Sequence, residues 1–327
     1  MKVLLTGATG FVGSHIADTL LERGHAVRAN IRKSSNLRWL DGKPIELVDA
    51  SLSDVGSLEN AVAGVDAVIH CAGLTAARNA EEFMQGNKGG TENILRAVMA
   101  ANPTLKKFVH ISSLAAVGPA ESRQSPVNEQ TAFHPITPYG ESKRAAEEVV
   151  LTHRDVLPVS IVRPPAVYGE RDEAIYTFFQ TVNKGIAPLI GFSEKWISLV
   201  HVTDLARGIV QVMESPAATG NTYFISSDEF YTWEQISAVT ARVLKKNTIT
   251  LKIPHSVVMS IAGVSEFFGR FSAKPPVLNF EKGKDITQEF WICSTDAARR
   301  DVGYTQQVSL EDGVRRTTDW YKQHGWL

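Results

Sequence analysis

Short apolar runs and helical periodicities alternate along the first half of the chain. Lys2–Thr6 is an apolar run ended by glycine, the pattern of a strand buried on both faces. Val12, Ile16 and Leu20 then recur at helical spacing, and Gly24 closes that helix. The strand signal returns at Ala26–Ile31, Ile45–Val48, Ala67–Cys71, Lys107–Ser112 and Val159–Arg163, with helical stretches such as Thr91–Ala101 and Gly140–Thr152 between. Strand and helix in alternation predict right-handed crossovers and an α/β fold, a doubly wound parallel sheet covered on both faces. After Pro164–Pro165 the pattern loosens. Short strand signals (Leu199–Val202, Thr222–Ile225, Thr250–Ile253) mix with helices over Thr203–Glu214, Thr232–Leu244 and Leu310–His324. Asp204 and Asp228 are expected near two of these helix starts, where a carboxylate suits the dipole. The division this suggests is a nucleotide-binding domain over 1–165 and a smaller substrate lobe over 166–327, some of whose segments return to the first domain.

Composition narrows the function classes. The 327 residues are 43% apolar and 21% charged, enough for a sizeable core. With 34 Lys and Arg against 35 Asp and Glu, the balance gives no sign of nucleic-acid binding. Two cysteines, Cys71 and Cys293, exclude a disulfide framework and a cysteine-built zinc site, and no metal site is expected. No apolar run reaches the ~18 residues of a membrane span. The N-terminus is too soon interrupted by glycine for a signal peptide, so a cytoplasmic location is expected.

Between the first strand and first helix lies TGATGFVG, with Gly7, Gly10 and Gly13. Glycines there allow a tight turn, close approach of a pyrophosphate, and packing of helix on strand. Thr9, Phe11 and Val12 fill the rest of this loop, whose N–H groups and helix dipole suit phosphates. NAD binders usually place an acid at the end of the second strand, roughly 20 residues on, for the ribose 2′-hydroxyl. Here the positions read Asn30, Ile31, Arg32, Lys33. Two cations and no acid favour the 2′-phosphate of NADP over NAD; ordinary solvated charges are the alternative.

Tyr139 and Lys143 stand four residues apart at a helix start, after Pro138. A tyrosine titrates at about 10; a neighbouring ammonium and the positive nicotinamide ring are expected to lower that value and let Tyr139 exchange a proton with a substrate oxygen. Ser112 and Ser113 follow the fifth strand, at the edge where open α/β sheets bind ligands.

These residues, in this order, carry a resemblance. The chain resembles the extended short-chain dehydrogenase/reductases, also called the NAD-dependent epimerase/dehydratase family, over nearly its whole length. Beyond TGATGFVG and YGESK the matching segments are VIHCAG, GNKGGTENIL, HISSLAAVG, RPPAVYG and VHVTDLA. The resemblance implies a Rossmann sheet and a C-terminal substrate lobe. It further implies Ser113 as catalytic serine, Tyr139 as acid/base, and Lys143 as the ribose-binding residue that tunes it. Asn87 and the Cys71-Ala72-Gly73 turn line the cofactor, and Pro164 and Val167 lie near the nicotinamide. Ser51 stands where relatives usually have an adenine-contacting aspartate, while Leu52 keeps its place. Nucleotide-sugar members have a pyrophosphate-binding arginine where this chain has Ile197 and Ser198; Lys195 is the nearest cation, with Arg270 a more distant one.

The missing arginine turns the resemblance toward the branch of 3β-hydroxysteroid dehydrogenases and dihydroflavonol reductases. It implies hydride exchange between NADP, or NAD, and a small hydrophobic ketone or alcohol. A redox-neutral nucleotide-sugar epimerase or dehydratase with tightly bound NAD is the alternative, and a non-catalytic dinucleotide sensor a third. A homodimer is compatible with all three. The segment His255–Phe271, with Val257, Ile261, Val264, Phe267, Phe268 and Phe271, would roof an apolar substrate, meet a membrane surface, or form lobe core. Tyr176, Phe178, Phe179 and Trp196 are further candidates for the pocket. His70, His110 and His201 at strand borders are expected to be structural, and Cys71 a small buried hydrophobe.

Overall fold

The computed structural model describes residues 1–269 and 280–327. Seven parallel strands form the main sheet: β1 (Lys2–Thr6), β2 (Ala26–Ile31), β3 (Ile45–Asp49), β4 (Ala67–His70), β5 (Lys107–Ile111), β6 (Val159–Arg163) and, from the second half, β10 (Thr222–Phe224). Their order is β10-β6-β5-β4-β1-β2-β3. The chain runs outward from β1 in one direction to β3, then crosses back to β4 beside β1. The order therefore reverses between β1 and β4, and a crevice opens outside their carboxyl ends. The central strands are buried along their length, which explains their unbroken apolar runs.

Helices cover both faces. On one, α1 (Phe11–Glu22) packs against α7 (Val202–Glu214), joining Ile16 and Leu20 to Leu205 and Ile209. On the other lie α2 (Val55–Val62), α3 (Ala80–Phe83), α4 (Gly90–Ala101) and α5 (Pro138–Leu151), with Leu58, Ile94, Leu95 and Val150 in the core. Gly24, at φ 77°, follows the end of α1.

The rest of the chain builds a lobe over the carboxyl edge. Its strands are β7 (Ala166–Tyr168), β8 (Ile186–Ile190), β9 (Trp196–His201), β11 (Phe230–Thr232), β12 (Ile249–Ile253) and β13 (Phe290–Trp291). Its helices are α6 (Tyr176–Asn183), α8 (Trp233–Leu244), α9 (His255–Gly269), α10 (Phe280–Thr287) and α12 (Leu310–Gln323), while α11 (Asp296–Val302) packs on β10 with Ala298 in the main-sheet core. β9 is central to one small sheet, pairing with β7, β11 and β13, while β8 and β12 form a separate parallel ribbon. Ladder pairing with β11 and β13 extends β9 three residues N-terminal of the apolar run at Leu199.

Two expectations need correction here. Asp204 does sit in the first turn of α7, but Asp228 lies in the loop before β11 and pairs with Arg299 at 2.7 Å. The start of α8 is capped instead by Thr232, whose hydroxyl accepts from Gln235 N while the Gln235 side chain returns to Thr232 N. The aromatic residues Tyr176, Phe178 and Phe179 do not face a pocket. They pack with Trp233, Tyr321 and Trp326 in the lobe core, because edge-on ring contacts satisfy them there. Trp196 packs beside Phe133 and Phe230, with Arg123 over its ring.

Candidate active site

The glycine loop is shaped by backbone crowding. Gly7 has φ 75°, and a Cβ there would stand 2.8 Å from Ala72 N, so the loop after β1 lies directly on the loop after β4. A Cβ on Gly13 would meet the Gly7 carbonyl oxygen at 2.1 Å, so α1 can approach its loop only through glycine. Gly10 donates its N–H to Gly7 O at 3.0 Å and is the N-cap of α1, with no side-chain cap. The uncapped N-terminus of α1 therefore points its dipole into the crevice. A Cβ-free cradle beside an open helix start fits a dinucleotide pyrophosphate.

The floor of the crevice is a chain of buried polar contacts. Ala72 N donates to Thr6 Oγ1 (3.1 Å), and Thr6 Oγ1 meets His70 Nδ1 at 2.8 Å. His70 Nε2 meets Thr91 Oγ1 (3.2 Å), whose hydroxyl donates to Asn87 O (2.7 Å). Burial holds His70 neutral, its pKa lowered to about 3. Asn87 lies on a π-helical turn, Met84–Gly89, between α3 and α4. It accepts from Leu74 N (2.7 Å) and donates to Leu74 O (3.1 Å) and Ser142 Oγ (2.8 Å). Gly73 stands between Asn87 and Lys143. Burial raises the Cys71 thiol to about 11, consistent with an inert side chain. Leu52 packs against Gly90, and its carbonyl accepts from Asn93; Ser51 shares a hydrogen bond with Ser53. Arg32 and Lys33 are exposed at the end of β2, and neither has an ion-pair partner among the described residues.

Ser113, Tyr139 and Lys143 come together on β5 and α5. Ser113 caps a short 3-10 turn, Leu114–Ala116, by accepting from Ala115 N (3.1 Å); Leu114 N donates to Pro164 O (2.8 Å). α5 starts at Pro138 with Thr137 as N-cap, its hydroxyl accepting from Gly140 N. A Cβ on Gly140 would meet Ala115 O at 2.3 Å, so the helix start rests on the serine turn itself. Across that contact the Ser113 side chain acts on the Tyr139 hydroxyl and favours its ionised form. Phe83 flanks the Tyr139 ring at 5.8 Å. Val167 lies on β7 beside Val200 of β9.

The electrostatics correct one expectation. Tyr139 is raised, not lowered: burial is the largest cause, the Ser113 side chain opposes it, and Asp285 on α10 adds to it. Lys143 is not among the groups that offset this burial; its Nζ donates to Ile111 O at 2.6 Å. Burial also lowers Lys143 to about 8. His70 and His110 both lie in buried rings near Lys143, and burial holds His110 well below its usual value.

Sequence reasoning did not single out Gly140, Thr6, Thr91 or the Glu147–Arg163 pair. That pair, buried and bidentate with a closest approach of 2.6 Å, ties α5 to the end of β6. A glycine inside a helical pattern was the available signal for Gly140, since its cost there implies a packing reason.

The place of the nucleotide-sugar arginine is filled by Ile197 and Ser198, both buried in β9. Lys195 is also buried, its Nζ donating to the carbonyls of Thr287 and Gln288 at the end of α10. Within the apolar segment, Val258 is buried whereas Val257 and Ile261 are exposed. Nothing of the side chains of Val264, Phe267 and Phe268 is described, and Arg270 and Phe271 lie outside the described residues. A cleft of about 450 Å³ opens at the start of α5, between Met84, Ile136, Pro138, Glu141 and Lys284.

Sheet order, glycine turn and crevice define a dinucleotide-binding α/β protein with an added lobe. The chain belongs to the NAD dependent epimerase/dehydratase family, whose model matches residues 3–227. It is 28% identical to a ceramide reductase of Caulobacter vibrioides over 99% of this chain and 96% of that protein. It is equally 28% identical to a 2-alkyl-3-oxoalkanoate reductase of Stenotrophomonas maltophilia, over 97% of this chain and 98% of the relative. Among solved structures, gox2253 superposes with a TM-score of 0.83 at 28% identity, over 99% of each chain. The UDP-glucose 4-epimerase of Thermotoga maritima shares the fold, with a TM-score of 0.80 at 21% identity over 99% of each chain. The protein is thus an oxidoreductase- or epimerase-type enzyme of a nicotinamide dinucleotide-dependent family.

Proposed function

We propose that the protein is an NADP(H)-dependent reductase that interconverts an uncharged, largely hydrophobic ketone and its alcohol. The observation that carries this reading is that β9 offers no free cation here: Ile197 packs in the lobe core, Ser198 Oγ accepts from Cys293 N, and Lys195 is already bound to two backbone carbonyls. A diphosphate brought there would lose hydration without cationic partners. Two relatives, a ceramide reductase and a 2-alkyl-3-oxoalkanoate reductase, are reductases by name, which supports the same class.

Gly7, Gly10, Gly13, Thr9, Phe11 and Val12 would hold the pyrophosphate, with Arg32 and Lys33 at the 2′-phosphate. Ser51, Leu52, Ala72, Gly73, Asn87, Pro164 and Val167 would complete the cofactor site. The bound nicotinamide supplies the hydride. Ser113 and Tyr139 hydrogen-bond the substrate carbonyl oxygen, and Tyr139 passes it the phenolic proton as charge develops there. A phenol raised by burial is fully protonated at neutral pH, which suits a proton donor in the reductive direction. Lys143, whose Nζ donates to Ile111 O, would bind the cofactor ribose. Thermal-shift titration with UDP, dTDP and GDP tests the substrate class, since a ligand bound only by the folded state raises the melting point. No rise is expected. A rise with any of them, at concentrations where long-chain ketones give none, would restore the nucleotide-sugar reading.

A further inference from the structure

The β8–β12 ribbon has its polarity reversed. In parallel register, Ile186 pairs with Ile249, Pro188 with Leu251 and Ile190 with Ile253, so these six side chains share one face. The opposite face carries Ala187 and Leu189, which are buried, and their partners Thr250 and Lys252, which are exposed. The six-residue apolar face is thus the outer one: Ile249 is 79% exposed and Leu251 51%. The surface continues past the ribbon. Gly191 N donates to Ile253 O, and a Cβ on Gly191 would meet the His255 ring, so Phe192, 72% exposed, lies where α9 begins. One turn on, Val257 and Ile261 extend it at 44% and 53% exposure.

Cations outnumber carboxylates around this face, where Glu194 is exposed two residues past Phe192 and Glu289 acts on His255. From Lys245 to Ser265 the chain carries Lys245, Lys246 and Lys252, all exposed, and no carboxylate. Lys184, also exposed, precedes β8 on the neighbouring turn. Monomeric proteins rarely expose a contiguous aliphatic face, and a cationic rim around one matches the headgroup region of an anionic bilayer.

We propose that the β8–β12 ribbon and the first turns of α9 dock on an anionic lipid surface. The apolar face enters the headgroup boundary and the lysines meet lipid phosphates. α9 packs on α10, and α10 carries Asp285, near enough to Tyr139 to bear on its titration. The docked face therefore adjoins the site that would take a membrane-resident substrate. Docking itself is independent of the proposed chemistry and is measured without turnover.

The test is cosedimentation of the full chain with phosphatidylcholine vesicles and with vesicles that also contain phosphatidylglycerol. Binding to the anionic vesicles is expected. The variant Phe192→Ser/Ile249→Ser/Leu251→Ser should weaken it by about a hundredfold, given the apolar area withdrawn. Lys184→Gln/Lys245→Gln/Lys246→Gln should weaken it by about fivefold per lysine on anionic vesicles and leave neutral ones unaffected. Cofactor affinity, measured in the same preparations, should be unchanged and reports that each variant is folded. Absence of vesicle binding, or binding that neither variant weakens, would overturn the proposal. So would a dimer in sedimentation velocity that the serine variant alone dissociates, because the face would then belong to a second copy.

Discussion

Tyr139 and Lys143 are set by opposing forces that a sequence shows only in part. Their spacing on one helix face is legible, as is the position of Ser113 after β5. The direction in which Tyr139 moves is not, because it depends on how deeply the fold encloses the phenol. Tyr139→Phe is expected to lower kcat about 10²–10⁴-fold while cofactor affinity, measured by fluorescence titration, stays nearly constant. Lys143 gives a stability signature. Its pKa is about 8 folded against 10.5 unfolded. Below pH 8 both states hold the proton and the burial cost is complete. Between pH 8 and 10.5 the unfolded state holds more protons, so stability rises with pH across that window. Lys143→Met should flatten this rise in melting temperature, whereas an unchanged slope would show that Lys143 is not the group responsible. At the far end of the site, Arg32→Ala should weaken NADPH binding about tenfold or more and leave NADH nearly unaffected, as loss of a charge-assisted hydrogen bond requires.

Elements bring these residues together, and two contacts decide how closely. Gly140 lets α5 rest on the 3-10 turn that holds Ser113. Gly140→Ala would force the helix start off Ala115 O, and kcat should fall by at least about tenfold with far-UV circular dichroism retained, since small misplacements of reacting groups are costly. The Glu147–Arg163 pair anchors the other side of α5. Glu147→Ala leaves the guanidinium buried and unpaired and should cost about 3–5 kcal/mol in denaturant unfolding. Neither contact was legible: the periodicity of α5 marks its buried face but not what that face touches. The central strands of the main sheet were legible because burial on both faces makes them continuous apolar runs. β8, β11 and β13 were not, being short and paired only through tertiary contacts.

On the scale of the whole molecule, the sheet's reversal between β1 and β4 fixes where the dinucleotide must lie, and the lobe fixes what can reach it. The fold alone is shared with sugar-nucleotide enzymes and does not choose a substrate. The choice rests on β9, where Ile197 and Ser198 present no charge, and on Lys195, held by the end of α10. No helix among the described residues is long and apolar enough to cross a membrane. The most direct measurement is NADPH oxidation, followed by absorbance, with long-chain ketones and with UDP- and dTDP-sugars, in wild type and Tyr139→Phe. Steady NADPH consumption with the ketones, lowered about 10²–10⁴-fold in the Phe variant, is expected. Conversion of a nucleotide sugar with no net NADPH consumption, and no turnover of any ketone, would contradict it.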